Sequence, residues 1–217
     1  MKLRNTVLSA IAALAIATPA SAALVSVLGG PSSAGTFAAI VPAPPNVNDL
    51  GTFTGGLQGF NEAIGVLLAA PLDVDAIADI AAGTLVDSHM IFLNREGFQN
   101  GPTLTHIGVE WTFDGIILGT MTDVGGTLEA ASNALLGNIP GTLYPGAFRN
   151  RGLEGGDSFS VSGNVLTTNF IVSDPGDWIR VVTVSAVPLP AALPLFAGGL
   201  ALMGLFGRRK KRQAITA

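Results

Sequence analysis

The chain contains no cysteine, and that absence removes disulfide staples, thiolate zinc sites and cysteine nucleophiles together. Only 2 histidines occur in 217 residues, which leaves little for transition-metal binding or for proton transfer near neutral pH. Charged residues make up 12%, well below the roughly 25% of an ordinary soluble domain. Lysine is confined to Lys2, Lys210 and Lys211. No basic stripe crosses the body of the chain, so nucleic acid is excluded as a partner. No long apolar pattern of period 3.6 is present, which excludes a helical bundle and a coiled coil. Internal repeats are also lacking.

The chain is instead rich in apolar residues, at 48%, with a mean hydropathy of +0.52, 28 glycines and 13 prolines. Its two ends have a different character from its middle. Lys2 and Arg4 precede an apolar run from Val7 to Ala17, and then Ala20-Ser21-Ala22 supplies small residues in an A-x-A arrangement. That is the build of a secretory signal peptide, residues 1–22, with signal peptidase cutting after Ala22. At the other end, Val187-Pro188-Leu189-Pro190-Ala191 leads into an apolar stretch that reaches Gly207 and closes on Arg208, Arg209, Lys210, Lys211 and Arg212. Counted from 187 to 207, the 21 residues would span about 31 Å as one helix. Pro188, Pro190 and Pro194 interrupt its front, and only about 21 Å of helix remains beyond Pro194. This marginal transmembrane helix suits transient residence in the inner membrane. The five cations hold its end on the cytoplasmic side, so everything before residue 187 faces outward.

The order of short motif, apolar helix and basic cluster resembles the PEP-CTERM class of bacterial sorting signals, and Val187–Ala191 matches the VPLPA variant letter for letter. The residues after Arg212 make the tail slightly longer than that pattern. The resemblance implies recognition by an exosortase-type membrane protease, a cut at the motif, and delivery to the cell surface or beyond, often alongside exopolysaccharide. It assigns 187–212 to sorting. A plain single-pass anchor is the competing reading. Short phrases in the middle, such as Asp87–Asn94 and Pro175–Arg180, are similar to the exported domains of other tagged proteins, and imply a β-rich cargo without an assigned activity.

That cargo, 23–186, carries all 15 acidic residues against 4 arginines, a net charge of −11. The charge keeps a lysine-free domain soluble and repels polyanions unless divalent cations bridge them. Strand signals dominate it. Thr84–Leu93 reads as a strand. Ile107, Val109, Trp111 and Phe113 alternate with His106, Gly108, Glu110 and Thr112, which predicts an inward apolar face and an outward polar one. Asp114-Gly115 then predicts a tight hairpin to Ile116–Met121. Asp157–Val161 and Val165–Val172 flank a second hairpin turn, and Trp178–Val184 completes the set. Thr36–Val41 is a weak strand, Gln58–Ala82 splits into two or three strands around Pro71, with Val74–Ala82 open to a short helix instead, and Thr127–Leu136 is one helix ended by Gly137. The expected fold is all-β, an antiparallel sandwich of jelly-roll type.

Candidate sites are few. Asp73, Asp75 and Asp79 offer oxygen ligands suited to calcium, but lack the glycine and terminal glutamate of an EF-hand. Asp87 with His89, and His106 with Glu110, share strand faces and would form a two-histidine metal site if their strands were neighbours. Trp178 could stack on a sugar if exposed. Glu154 with Asp157 is one of many carboxylate pairs. No nucleophile motif occurs. The sequence therefore favours a non-enzymatic exported surface or matrix protein over a calcium-assisted carbohydrate-binding module, and over a hydrolase, which would need a pocket with converging carboxylates or both histidines.

Overall fold

The computed structural model describes residues 23–49, 51–75, 78–95, 102–137, 139–173 and 176–185. They belong to one compact unit, Ser21–Val187. Both terminal assignments, the signal segment and the sorting tail, fall outside the described residues. Among the described residues, no helix is long and apolar enough to cross a membrane.

The chain is mostly β. One sheet has the order β1 (Leu24–Leu28), β6 (Leu104–Phe113), β9 (Val165–Val172), β8 (Ser158–Ser162), antiparallel throughout. The second has the order β2 (Ala39–Ile40), β3 (Gln58–Asn61), β5 (Leu85–Leu93), β10 (Asp177–Val184), β7 (Ile117–Met121), with β4 (Val66–Leu67) pairing separately with β5. Only β2 and β3 run parallel. The single described helix, α1, spans Thr127–Leu136 and ends at Gly137, as its sequence pattern predicts.

One core joins the two sheets. Leu24, Val109, Trp111, Phe113, Leu166 and Phe170 of the first meet Ile91, Leu93, Ile179 and Val181 of the second. The second sheet is also covered on its other face. Met90, Phe92 and Trp178 pack with Phe60 and Val47, while Val86 and Val182 pack with Met121 and with Leu136 of α1. Covering on both sides explains why β5 and β10 are buried almost without a break, polar residues included, whereas β8 and β9 alternate. Gly59 is required by this packing. A Cβ there would lie 2.8 Å from Leu24 Cδ2 and 2.8 Å from Trp111 Cζ3.

Two local expectations need correction. β6 and β7 do not pair; they lie in different sheets, and Asp114-Gly115 carries the chain from one to the other. The turn residues signal a reversal, but tertiary packing selects the partner of the returning strand: β7 joins β10. Secondly, the alternation along β6 changes phase. The pairing with β9 slips between Ile107 and Val109, and Gly108 sits at φ 69° as the extra residue of a bulge. Ile107 is thereby turned outward and is 59% exposed, while His106 is fully buried. The second expected hairpin forms, with Ser162 registered on Val165 across Gly163-Asn164.

Candidate functional site

Both histidines are buried, and each ring has its partners. Leu57 N–H donates to His106 Nδ1 at 2.9 Å, so His106 carries its proton on Nε2, 2.9 Å from the Gly30 carbonyl. On the second sheet, His89 Nδ1 lies 2.8 Å from Asn61 Oδ1, which also accepts the Leu24 N–H at 2.9 Å. Its Nε2 then accepts from the Thr183 hydroxyl at 3.1 Å. Burial pushes the His89 pKa down to about 3. Glu110 is exposed on the outer face of β6. His106 and Glu110 are therefore separated by the bulge, on opposite faces. Among the described residues, no set of three ligating side chains gathers where a metal could bind.

The aspartates after Pro71 are similarly dispersed. Asp75 accepts the Thr122 hydroxyl at 2.9 Å and the Thr122 N–H, tying its loop to the end of β7. Asp73 and Asp79 are exposed. Trp178 fails its condition as a sugar platform, because it is 1% exposed. Phe92 stacks parallel to it with centroids 6.4 Å apart, and the Arg151 guanidinium lies 4.0 Å from its ring centroid. Every direction from which a sugar could approach is filled by protein.

What occupies that side of the second sheet is a network of buried charge. Arg180 of β10 forms a bidentate pair with Glu62, Nε to Oε2 at 2.7 Å and Nη2 to Oε1 at 2.8 Å. Its Nη1 donates to the Glu129 carbonyl and the Ser132 hydroxyl, both at 2.7 Å, and Nη2 also reaches Asn133 Oδ1 at 2.9 Å. Ser88 donates to Glu62 at 2.7 Å. The Glu129 side chain forms a second bidentate pair, with Arg151, at 2.8 and 2.6 Å. Burial opposes the Arg180 charge, but the Glu62 carboxylate outweighs it and the pKa is raised. Tyr144 covers the pair with its ring, and burial beside Glu62 raises its phenol pKa. Such pairs repay their desolvation only when every donor is used. Here the guanidinium of Arg180 is fully engaged, so the network fastens α1 and the loop carrying Arg151 onto β10. It is closed to solvent and offers no reacting atom to a substrate.

The helix start shows the same economy of polar groups. Gly126 at the N-cap has no side chain, and Asp123 replaces it, accepting Thr127 N–H at 2.7 Å and Leu128 N–H at 3.1 Å.

A third polar cluster joins Glu154, Asp157 and Asp177. Asp157 accepts the Ile171 N–H at 2.7 Å and the Glu154 N–H at 2.9 Å. Asp177 is buried at the start of β10. Burial, with the Asp157 and Glu154 carboxylates nearby, pushes its pKa up to about 9, so it is a neutral acid at pH 7. A carboxyl of this kind can donate a hydrogen bond to a neighbouring carboxylate.

An open cleft of about 480 Å³ lies near the start of β6. Among the described residues, Arg95, the Phe53 ring and the Ser33 and Thr103 hydroxyls border it. No protein family, curated protein or solved structure matches the chain.

Sequence spacing does not reveal Glu62, Glu129 and Arg151. Glu62 and Arg180 are 118 positions apart, and Glu129 and Arg151 are 22 apart. The one available signal is that 3 of the 4 arginines between residues 23 and 186 lie outside apolar segments, while Arg180 interrupts one. A lone charge inside a buried strand demands a counter-ion.

Proposed function

We propose that this chain is an exported cell-surface or extracellular-matrix protein with no enzymatic activity of its own. In this reading residues 1–22 are the signal peptide. Residues 23–186 are the cargo, an antiparallel β-sandwich of jelly-roll type. Residues 187–212 are the sorting signal, with Val187–Ala191 as the motif cut by an exosortase-type protease and Arg208–Arg212 as the cytoplasmic stop. The tail resides in the inner membrane in transit, and the released domain acts at the surface, where exopolysaccharide is its expected neighbour.

The observation that carries this reading is a coincidence of boundaries. The compact unit runs from Ser21, beside the expected cut after Ala22, to Val187, the first residue of the motif. Both cuts would therefore leave the folded body intact. The buried state of both histidines and of the Arg–Glu pairs fits a domain whose polar groups serve its architecture. The calcium-assisted carbohydrate module draws no support from Trp178, which is enclosed, or from Asp75, which is held by β7.

Mass spectrometry of the protein recovered from envelope and medium tests the proposal. It expects an N-terminus at Ala23 and a C-terminus within Val187–Ala191. An intact tail in the inner membrane at steady state would instead identify a permanent single-pass anchor.

A further inference from the structure

The edges of the two sheets are not equally protected. In the second sheet, β2 is only two residues long. The β7 edge is covered by the segment between β4 and β5, where Asp75 N–H donates to the Thr120 carbonyl at 2.9 Å and the Asp75 carboxylate takes the Thr122 N–H. In the first sheet, β1 is broken by a bulge between Leu24 and Ser26. Short length, cover and bulges are the usual protections of an exposed edge. Among the described residues, the remaining edge, β8, has none of them. Ser158-Phe159-Ser160-Val161-Ser162 pairs with β9 without a register shift, and contains no proline, lysine or other charge.

The hairpin determines which of its backbone groups are free. A two-residue loop at Gly163-Asn164 makes Ser162 and Val165 a hydrogen-bonded pair, and such pairs alternate along the ladder. Ser158, Ser160 and Ser162 thus use their backbone groups on β9. The N–H and C=O of Phe159 and Val161 point away from it, and among the described residues no backbone group meets them. Their side chains lie on the inner face, partly buried against the common core, while the three serines are exposed on the outer face.

We infer that β8 is a self-association edge whose occupant is β8 of a second copy of this chain. A two-fold axis through Ser160 sets Phe159 opposite the partner's Val161, and the reverse. Those two pairs exchange four backbone hydrogen bonds, using all the groups that point outward. The strand is self-complementary in polarity under this operation. Serine meets serine on the outer face, and Phe159 and Val161 extend the apolar inner face across the junction. The two four-stranded sheets become one of eight. The strand itself raises no charge barrier against this partner. Residues 23–186 carry 15 acids and 4 arginines, and β8 is a neutral strip on that surface, where two copies meet without opposing like charges within the strand. A single strand pair buries less area than a standard interface, so the association is weak and concentration-dependent. Added salt screens the net charge and strengthens it. The inference stands apart from the sorting signal, since it rests on β8 alone.

Sedimentation of the mature protein at physiological salt is the test, with hydrogen exchange at rising concentration. The expected result is a monomer–dimer equilibrium in which the Phe159 and Val161 amides become protected as the dimer forms. Ser160→Lys places two cations face to face on the axis and weakens dimerisation by at least about tenfold, with an unchanged circular dichroism spectrum. Val161→Pro removes an outward N–H that β9 does not use, and has the same effect. Since the chain has no cysteine, Ser160→Cys supplies the only thiol, at a non-hydrogen-bonded pair whose side chains approach closely; it forms an intermolecular disulfide under mild oxidation. A protein that stays monomeric at all concentrations, with those two amides exchanging freely, overturns the inference. So does a dimer unaffected by Ser160→Lys and Val161→Pro.

Discussion

Asp177 and His89 make opposite demands on pH, and together they shape the stability of the domain. The perturbation is titration of the whole protein from pH 4 to pH 9. His89 has its folded pKa depressed from 6.5 to about 3, so its contribution is present above 6.5 and is lost as pH falls through that interval. Asp177 has its folded pKa raised from 3.8 to about 9, so its contribution is fully present below 3.8 and is lost as pH rises toward 9. Each slope is about 1.4 kcal/mol per pH unit where only one state binds the proton. Between pH 4 and 6.5 the two slopes cancel. Above 6.5 only Asp177 remains, and stability falls by about 3 kcal/mol on the way to pH 9. Asp87, Asp157 and Glu154, all raised mainly by burial, act in the same sense as Asp177. Urea unfolding followed by tryptophan fluorescence at half-unit pH steps measures the curve. Asp177→Asn mimics the neutral acid. It holds its stability to pH 9, and uncovers the rise between pH 4 and 6.5 that His89 causes. Wild-type stability that is flat or rising between pH 6.5 and 9, or an Asp177→Asn protein that declines there as steeply as wild type, would refute the reasoning.

Three further outcomes follow from the packing. Glu62→Ala leaves the Arg180 guanidinium buried without its carboxylate, and costs about 3–5 kcal/mol in urea unfolding; the double replacement Glu62→Leu with Arg180→Met recovers a large part of that loss. Gly108→Ala forces a Cβ onto a residue at φ 69°, and lowers stability by about 1–2 kcal/mol without changing the fold, as read by melting and circular dichroism. Ala23 N donates to Asp114 Oδ1 at 2.6 Å, so a mature chain beginning at Ala23 sets its α-ammonium on that carboxylate. Asp114→Asn then lowers the melting temperature of the processed protein more than that of one with an uncut N-terminal extension, with the difference shrinking in high salt.

The elements legible in the sequence are those whose signals are local. Thr127–Leu136 carries its own periodicity and its terminating glycine, and the hairpin at Gly163-Asn164 needs only its two flanking strands. Asp114-Gly115 shows the limit of such signals, because a turn dipeptide reports that the chain bends and says nothing of which sheet receives it. Gly108 shows another. Strict alternation predicts one face for Ile107 and Val109, and a single glycine able to adopt positive φ inserts the residue that separates them. His106 was expected on the solvent side for that reason, and lies in the core. The Arg180–Glu62–Glu129–Arg151 network has no local spacing at all, since its members come from a loop strand, a helix, a loop and the last strand. Trp178 illustrates the same point, as its neighbours Phe92 and Arg151 are distant in sequence and only the fold encloses it.

The position of β10 has a consequence for how the domain is made. It is the last described strand, yet it sits inside the second sheet between β5 and β7, and brings the arginine that Glu62 and α1 require. A chain emerging N-terminus first cannot close either face of that sheet until residue 184 has appeared. Its early segments must wait, with contacts across 94 to 118 positions still unmade. Under the export proposed above, such a domain would stay threadable through a narrow channel and become rigid only when the final strand slots into place.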